Sequence, residues 1–301
     1  MKTSLECIPC FFKQALDAAK LAGANRRSQK KIINALSKEV LKFKLTASPP
    51  EMGRILYGLV RDISGKADPF KQIKRRSNRF ALGLYPRLKK IVERSKDRLL
   101  CAVELAIAGN VIDYGVKNSL NIAQEIDKIF RQEKRSIRKE DKAAFNISSF
   151  KRALKKAKQV LYLADNSGEV VFDRLLIEEI LRDKNKQVTY AVRDKPIIND
   201  ALAEDALFCG IGKYAKIIST GSDAPGTIPK FCSKAFLRLY QKAEFIISKG
   251  QGNFEALSAS RRPIFFLFKA KCPIVARHLN CKLGDIILKE ADYAGMQARA
   301  K

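Results

Sequence analysis

Histidine is nearly absent from this chain: His278 is the only one among 301 residues. Serine and cysteine nucleophiles of the triad and dyad type need an imidazole base. His278 lies in PIVARHLNC, between Arg277 and Leu279, and reads as an ordinary helix residue. Any metal centre must then be built from oxygen ligands or thiolates. Long apolar runs are lacking too. No stretch approaches the ~18 unbroken apolar residues of a membrane helix. The opening MKTSLECIPC has one early lysine and no long apolar segment, so no signal peptide is expected and a cytoplasmic location is.

Paired cysteines are missing as well. The seven cysteines, at 7, 10, 101, 209, 232, 272 and 281, are odd in number and scattered. Five of them fall in apolar or helical patterns, where a free thiol acts as a small hydrophobe, so no disulfide framework is expected. Cys7-Ile8-Pro9-Cys10 is half a zinc site with no second pair or histidine cluster to complete it, and it opens a helical region instead of following a strand. A structural role is expected for it, with an unassigned metal role as the alternative. Nucleotide fingerprints are absent, since no turn matches G-x-x-x-x-G-K-[ST] or G-x-G-x-x-G.

Acidic residues are the minority: 31 against 59 basic ones, a net charge of +28. The excess runs through both halves and is densest at Lys71–Arg79 and Arg131–Lys139. Such a field suits nucleic acid, a solvated helical surface, or the steering of phosphorylated substrates.

What is present divides near residue 150. In residues 1–150, Leu5–Leu21, Ser28–Phe43, Glu51–Ile63, Ile73–Arg94, Asp97–Val111 and Leu120–Arg131 place apolar residues at helical spacing. From 151 to 301 short apolar runs alternate with helical patterns. The expected strands are Gln159–Ala164, Gln187–Val192, Ala215–Ser219, Glu244–Ser248 and Pro263–Phe268, with Asp285–Leu288 as a further candidate. The expected helices are Val170–Arg182, Asp200–Phe208, Pro229–Lys242, Asn253–Ser260 and Pro273–Leu279. Alternation of this kind predicts a mainly parallel sheet covered on both faces. The fold class is α/β, with an all-helical domain over 1–150 and an α/β domain over 151–301.

Four polar turns follow four of the strands. They are Asp165-Asn166-Ser167-Gly168-Glu169, the stretch Arg193–Asp200, Thr220–Thr227, and Lys249-Gly250-Gln251-Gly252-Asn253. A parallel sheet brings all four to one edge, where ligands bind in open α/β folds. The 35 residues from Asp165 to Asp200 suit one strand–helix–strand step, which would set the two carboxylates side by side. Asp165, Asn166 and Asp200 then form a candidate site for a hard cation. The same residue types also suit helix capping, with Asp200 at a helix start and Glu169 closing a capping box with Asn166. Residue types alone leave both readings open. Glycines in the third and fourth turns free backbone N–H groups for an anion, and Lys249 adds a point charge suited to phosphate. From the helical half, Asn110 and Asp113 in GNVID could reach over the sheet edge to a sugar hydroxyl.

Taken in order, ECIPC at 6–10, GNVIDYG at 109–115, ADNSGE at 164–169, RDKPIIND at 193–200, SKGQGNFEAL at 248–257 and FKAKCPIVARHL at 268–279 resemble the metal-dependent damage-control phosphatases, long catalogued as a domain of unknown function. The N-terminal CxxC is similar to that of the archaeal and bacterial subfamily. The resemblance implies a three-layer α/β/α sandwich with an N-terminal helical domain and a divalent cation (manganese, magnesium, cobalt or nickel) at the sheet edge. By position it implies Asp165, Asn166 and Asp200 as metal ligands. It makes Asp165, Asp200 and Lys249 the catalytic candidates. The candidate substrate contacts are Asn110, Asp113, Glu169, Lys249, Gly250, Asn253 and Lys271. Lys271 falls where the eukaryotic branch carries the lysine of an RTxK motif, but here the stretch reads FKAK, without that arginine and threonine. The implied activity is hydrolysis of phosphomonoesters of small, sugar-phosphate-like metabolites. The alternatives are a basic nucleic-acid-binding protein and a carboxyl methyltransferase, the latter without an adenosyl-methionine glycine fingerprint after the first strand.

Overall fold

Helices in the first third are fixed at their ends. The computed structural model describes residues 1–109 and 144–291. After α1 (Cys7–Leu21), the Asn25 side chain accepts from the Ser28 N–H and opens α2 (Arg26–Lys42). The Ser48 N–H donates to the Glu51 carboxylate at 3.1 Å, prolines 49 and 50 fill the first turn, and left-handed Gly65 ends α3 (Pro49–Ser64). Each device satisfies terminal backbone groups that the helix leaves open. Next come α4 (Lys71–Arg94) and α5 (Arg98–Ala108), the latter capped by Asp97.

These five helices pack in two ways. Phe11, Ala15, Ile32, Leu36, Met52, Leu56 and Val60 of α1–α3 close a core of their own, completed by Phe70 and Ile197. By contrast, Ala81, Leu88 and Val92 of α4 and Cys101–Val103 and Leu105–Ala108 of α5 are buried together with strand residues.

Six strands form one sheet: β1 (Gln159–Leu163), β2 (Gln187–Val192), β3 (Lys216–Ser219), β4 (Phe245–Lys249), β5 (Ile264–Lys269) and β6 (Ile286–Glu290). Their order is β3-β2-β1-β4-β5-β6, and all pairs are parallel except β5 with β6. The central strands are buried on both faces, which explains their nearly continuous apolar sequence. One face, with Tyr162, Tyr190, Phe245 and Ile247, is covered by α4, α5, α6 (Ile147–Lys156) and α7 (Glu169–Ile180). The other, with Leu161, Leu163, Ile246, Phe266 and Phe268, is covered by α9 (Lys234–Lys242), α10 (Gln251–Leu257) and α11 (Pro273–Leu279). The short α8 (Ala203–Phe208) follows β2. The three-layer α/β/α sandwich with a mainly parallel sheet is thus the observed architecture.

The chain builds outward from β1 through β2 to β3, then returns to place β4 on the other flank of β1. Strand order therefore reverses between β1 and β4, and such a switch point opens a crevice beyond the strands' carboxyl ends. The first and fourth polar turns lie there.

Two expected helices begin three or more residues later than their patterns. Pro229–Lys242 divides into a single 3-10 turn at Pro229–Phe231 and α9, because the Ser233 hydroxyl accepts from the Phe236 N–H and restarts the helix. The segment expected from Asp200 begins only at Ala203. The expected helix 120–131 lies outside the described residues. Among the described residues no helix is long and apolar enough to cross a membrane.

Candidate active site

The first two turns are stitched together by backbone. The Ala201 N–H donates to the Asp165 carbonyl at 2.7 Å, and the Ser167 N–H to that of Asn199 at 2.8 Å. Asn166 and Asp200 form an antiparallel bridge. Two residues 35 positions apart are thereby held as neighbours, as the spacing suggests.

The capping readings fail on this geometry. Gly168 is the cap of α7 and Leu202 that of α8, so neither Asp165, Asn166 nor Asp200 caps a helix. The amide of Asn166 instead donates to the Asp165 carboxylate at 2.7 Å and to Glu169 at 3.3 Å. With its nitrogen bound to both carboxylates, the direction of its oxygen is fixed.

Arg193 gathers three turns. It is 2% exposed. Its Nε donates to Asp200 at 2.8 Å, one Nη to the Thr227 hydroxyl at 3.1 Å and the other to the Asn253 side-chain oxygen at 3.2 Å. Only a planar guanidinium offers three divergent donors of this kind. Asn253 also accepts from the Thr227 N–H and donates to the Ala164 and Lys249 carbonyls. It is fully buried and fully engaged, so it holds the fourth turn in place and does not face substrate in this arrangement.

Gly250 has φ +83°, and a Cβ on it would overlap the Asp165 carboxylate. The first and fourth turns can meet at the switch point only with a glycine here. The third and fourth turns meet in the same manner, a Cβ on Gly226 falling 2.7 Å from the Gly252 carbonyl oxygen. Further support comes from α3: Arg54 pairs with Asp223, and Glu51 with Lys230. The second turn sinks Ile197 into the α1–α3 core, and Ile198 takes φ +44°, a strained value for a β-branched residue two positions before Asp200.

Lys249 departs from its expected role. Its ammonium is fully buried and donates to the Ala106 carbonyl at 2.8 Å, to Glu169 at 2.6 Å and to Asp173 at 2.6 Å. All three N–H bonds are used, so it does not clamp a phosphate in this arrangement. Burial opposes its charge, but Asp173 and Glu169 outweigh burial and hold its pKa above the usual lysine value. Asp173 also accepts from Tyr162 and Tyr190, each at 2.7 Å. Glu169, likewise fully buried, belongs to this network beneath the site and not to its opening. Lys271 is exposed, with its N–H on Gln251, and its charge reaches Asp165. Asn110 and Asp113 lie outside the described residues. Exposed His278 packs its ring edgewise on Phe254, which supports a plain helix residue.

Electrostatics single out the first two turns. Burial, then the charges of Glu169 and Asp200, push the Asp165 carboxyl well above the usual range, against Arg193 and Lys271. Burial raises Asp200 to about 6, opposed chiefly by the Arg193 guanidinium beside it and further by Lys74. Neighbouring buried carboxylates with too little positive charge suit a dication. Asp165 and Asn166 each retain 9% exposure. The donors are hard oxygens, which fits magnesium or manganese chemistry. Among the described residues no three His, Cys, Asp or Glu side chains converge as a metal cage. Two carboxylates and one amide would leave coordination positions to water and substrate. The buried Ser167 hydroxyl beside them has no hydrogen-bond partner among the described residues.

Sequence reasoning passed over Arg193, Asp173 and Lys74. Asp173 follows Glu169 by four residues, so both carboxylates stand on one helix face. Lys249 follows Phe245 and Ile247 at period two, which sends it to the face under α5. These two signals were readable. Lys74 is 1% exposed, pairs with Asp68 at 2.7 Å and lies within the stretch Lys71–Arg79. Asn78, one turn on, accepts from the Gly168 N–H at 2.6 Å. That basic stretch is thus partly built into the site, which does not favour the nucleic-acid reading.

Comparison with known proteins follows the same lines. The damage-control phosphatase ARMT1-like domain matches residues 3–287. The uncharacterized protein MJ0202 of Methanocaldococcus jannaschii is 35% identical over 297 residues, covering 96% of this chain and 95% of that protein. The damage-control phosphatase PH1575 of Pyrococcus horikoshii is 35% identical over 295 residues, covering 95% and 97%. A damage-control phosphatase of Archaeoglobus fulgidus is 32% identical over 295 residues, covering 96% and 99%. The crystal structure of PH1575, a DUF89 family protein, superposes with a TM-score of 0.85 at 34% identity, over 97% of this chain and 100% of that one.

Proposed function

The chain belongs to the damage-control phosphatase ARMT1-like family, and we propose that it hydrolyses phosphomonoesters of small metabolites with a divalent cation held by Asp165, Asn166 and Asp200. The observation that carries this reading is the backbone pairing of the Asp165 and Asp200 turns at the switch point of the sheet. The names of the relatives support the phosphatase class.

When bound, the cation (magnesium, manganese, cobalt or nickel) supplies charge neutralisation at a phosphoryl oxygen. The rest falls to the chain. Arg193 keeps Asp200 in place, and the Asn166 amide orients Asp165. Gly250 leaves room for that carboxylate. Lys271 brings an exposed positive charge to the same edge. Phosphoryl transfer needs positioning and charge stabilisation above all, so a chain without a suitable histidine is not disabled. In the net reaction a water oxygen bonds to phosphorus, the ester P–O bond breaks, and the released alkoxide takes a proton. Label transfer from isotopic water in a single turnover tells whether water or the Asp165 carboxylate attacks first.

The test is cleavage of p-nitrophenyl phosphate with each of the four cations. Asp165→Asn and Asp200→Asn keep the shape and remove the charge, and each is expected to lower turnover by about 100-fold or more. Wild-type turnover in both variants would overturn the assignment. No observation here favours a methyltransferase.

A further inference from the structure

A cavity of about 390 Å³ opens between the first turns of α4 and helix α8, lined by Lys71, Lys74, Arg75, Asn78, Arg79 and Glu204 together with Asp205 and Phe208. That volume is within the range of small-molecule sites. Its charge is lopsided. Four cations face two carboxylates, and Asp205 is already committed to the Asn78 amide at 2.7 Å and to the Leu202 N–H at 3.0 Å. Lys71, Arg75 and Arg79 are exposed and form no ion pair among the described residues. Lys74, nearly inaccessible, pairs with Asp68, yet its ammonium makes no well-aligned hydrogen bond among the described residues. A buried lysine with spare donors, in a cavity ringed by unpaired guanidinium groups, is a built receptor for an anion.

The cavity adjoins the candidate active site. Asn78 lines it and also accepts from Gly168, within the Asp165–Glu169 turn. Asp205 lies five residues after Asp200, on the same connection.

We propose that this cavity is a second phosphate subsite, so that the preferred substrates are small bisphosphates: one phosphate is hydrolysed at Asp165 and Asp200, and the other is held by Lys74, Arg75 and Arg79. The proposal rests on the phosphatase reading above and narrows its substrate class. It also gives the basic stretch Lys71–Arg79 a specific task in place of a general field. Glu204 at the rim is placed to accept from a hydroxyl of the connecting carbon chain.

The experiment compares kcat/KM for a hexose bisphosphate and a hexose monophosphate on the full chain. Wild type is expected to favour the bisphosphate by about tenfold or more, the scale of one charge-assisted contact. In the double variant Arg75→Ser/Arg79→Ser that ratio falls to near one. In Lys30→Ser/Lys31→Ser, an exposed pair on α2, it stays at the wild-type value. Equal rates on both substrates in wild type, or a preference that survives the double variant, would overturn the proposal. A fall of the same size in the α2 variant would also overturn it, since diffuse attraction would then explain the preference. If no cation supports cleavage of p-nitrophenyl phosphate, the phosphatase reading fails on its own. The subsite is then judged by calorimetry with the hexose bisphosphate alone: binding lost in the double variant supports it, and absence of binding overturns it.

Discussion

The two faces of the sheet are covered in different ways. Under α9–α11 the packing is aromatic: Phe254 meets Phe266 edge-on at 5.1 Å and lies tilted against Phe268 at 5.0 Å, with Phe236 and Tyr240 stacked nearby. Under α5 and α7 the apolar core contains an ionic knot in which Lys249, Glu169, Asp173, Tyr162 and Tyr190 satisfy one another. Apolar burial is non-directional and tolerates modest changes of shape. A buried ion pair contributes little net stability when intact and costs much when broken. The apolar packing of both faces therefore supplies stability, while the knot on the second supplies position. The knot ends at Asn166 and Asp165, so it anchors the turn at which the chemistry is proposed.

The sharpest way to break this contrast is Lys249→Met. It strands two carboxylates in the core and is expected to cost about 3–5 kcal/mol, read from urea unfolding, with loss of phosphatase turnover under conditions where the protein stays folded. A variant as stable as wild type would deny the knot its role. Phe266→Leu probes the opposite face. It should cost about 1–2 kcal/mol through lost packing and leave turnover per folded molecule unchanged. A large fall in turnover would mean that both faces position the site.

The smallest effect concerns pH. Glu255 on α10 has its carboxyl raised to about 7, mainly by burial, against the opposing pulls of the Gln251 amide and the N-terminal ammonium. A carboxyl with a raised folded pKa binds its proton more tightly when folded than when unfolded. Its stabilising contribution is whole below the ordinary value of 4.5 and is lost as pH climbs to about 7. Glu255→Gln should therefore reduce the drop in stability between about pH 5 and about pH 8, by up to about 1 kcal/mol after allowance for solvent screening. Parallel pH profiles of urea midpoint in the two proteins would remove Glu255 from the account.

Much of this could be read from sequence because it is local or periodic. The strands follow from apolar runs, and the four turns from polar residues and glycines at their ends. Asp165 and Asp200 become neighbours because one strand–helix–strand step separates them. Lys249 was misread because a lysine in a glycine-rich turn looks like a phosphate ligand, whereas strand alternation buries its side chain beneath α5. Arg193 had no visible role because its three acceptors come from three turns spread over residues 200–253. Lys74 looked like one of many surface cations, and only its pairing with Asp68 and the approach of α8 distinguish it.

The sequence by itself determined the alternation of elements, the parallel sheet, and the chemical character of the edge on which the strands end. Those properties depend on neighbours within a turn or a strand, where propensity and periodicity act. Only the tertiary structure decided which charges face the crevice and which are spent holding it together. A charged side chain's role depends on the dielectric around it and on partners far along the chain, and both exist only once the layers have packed.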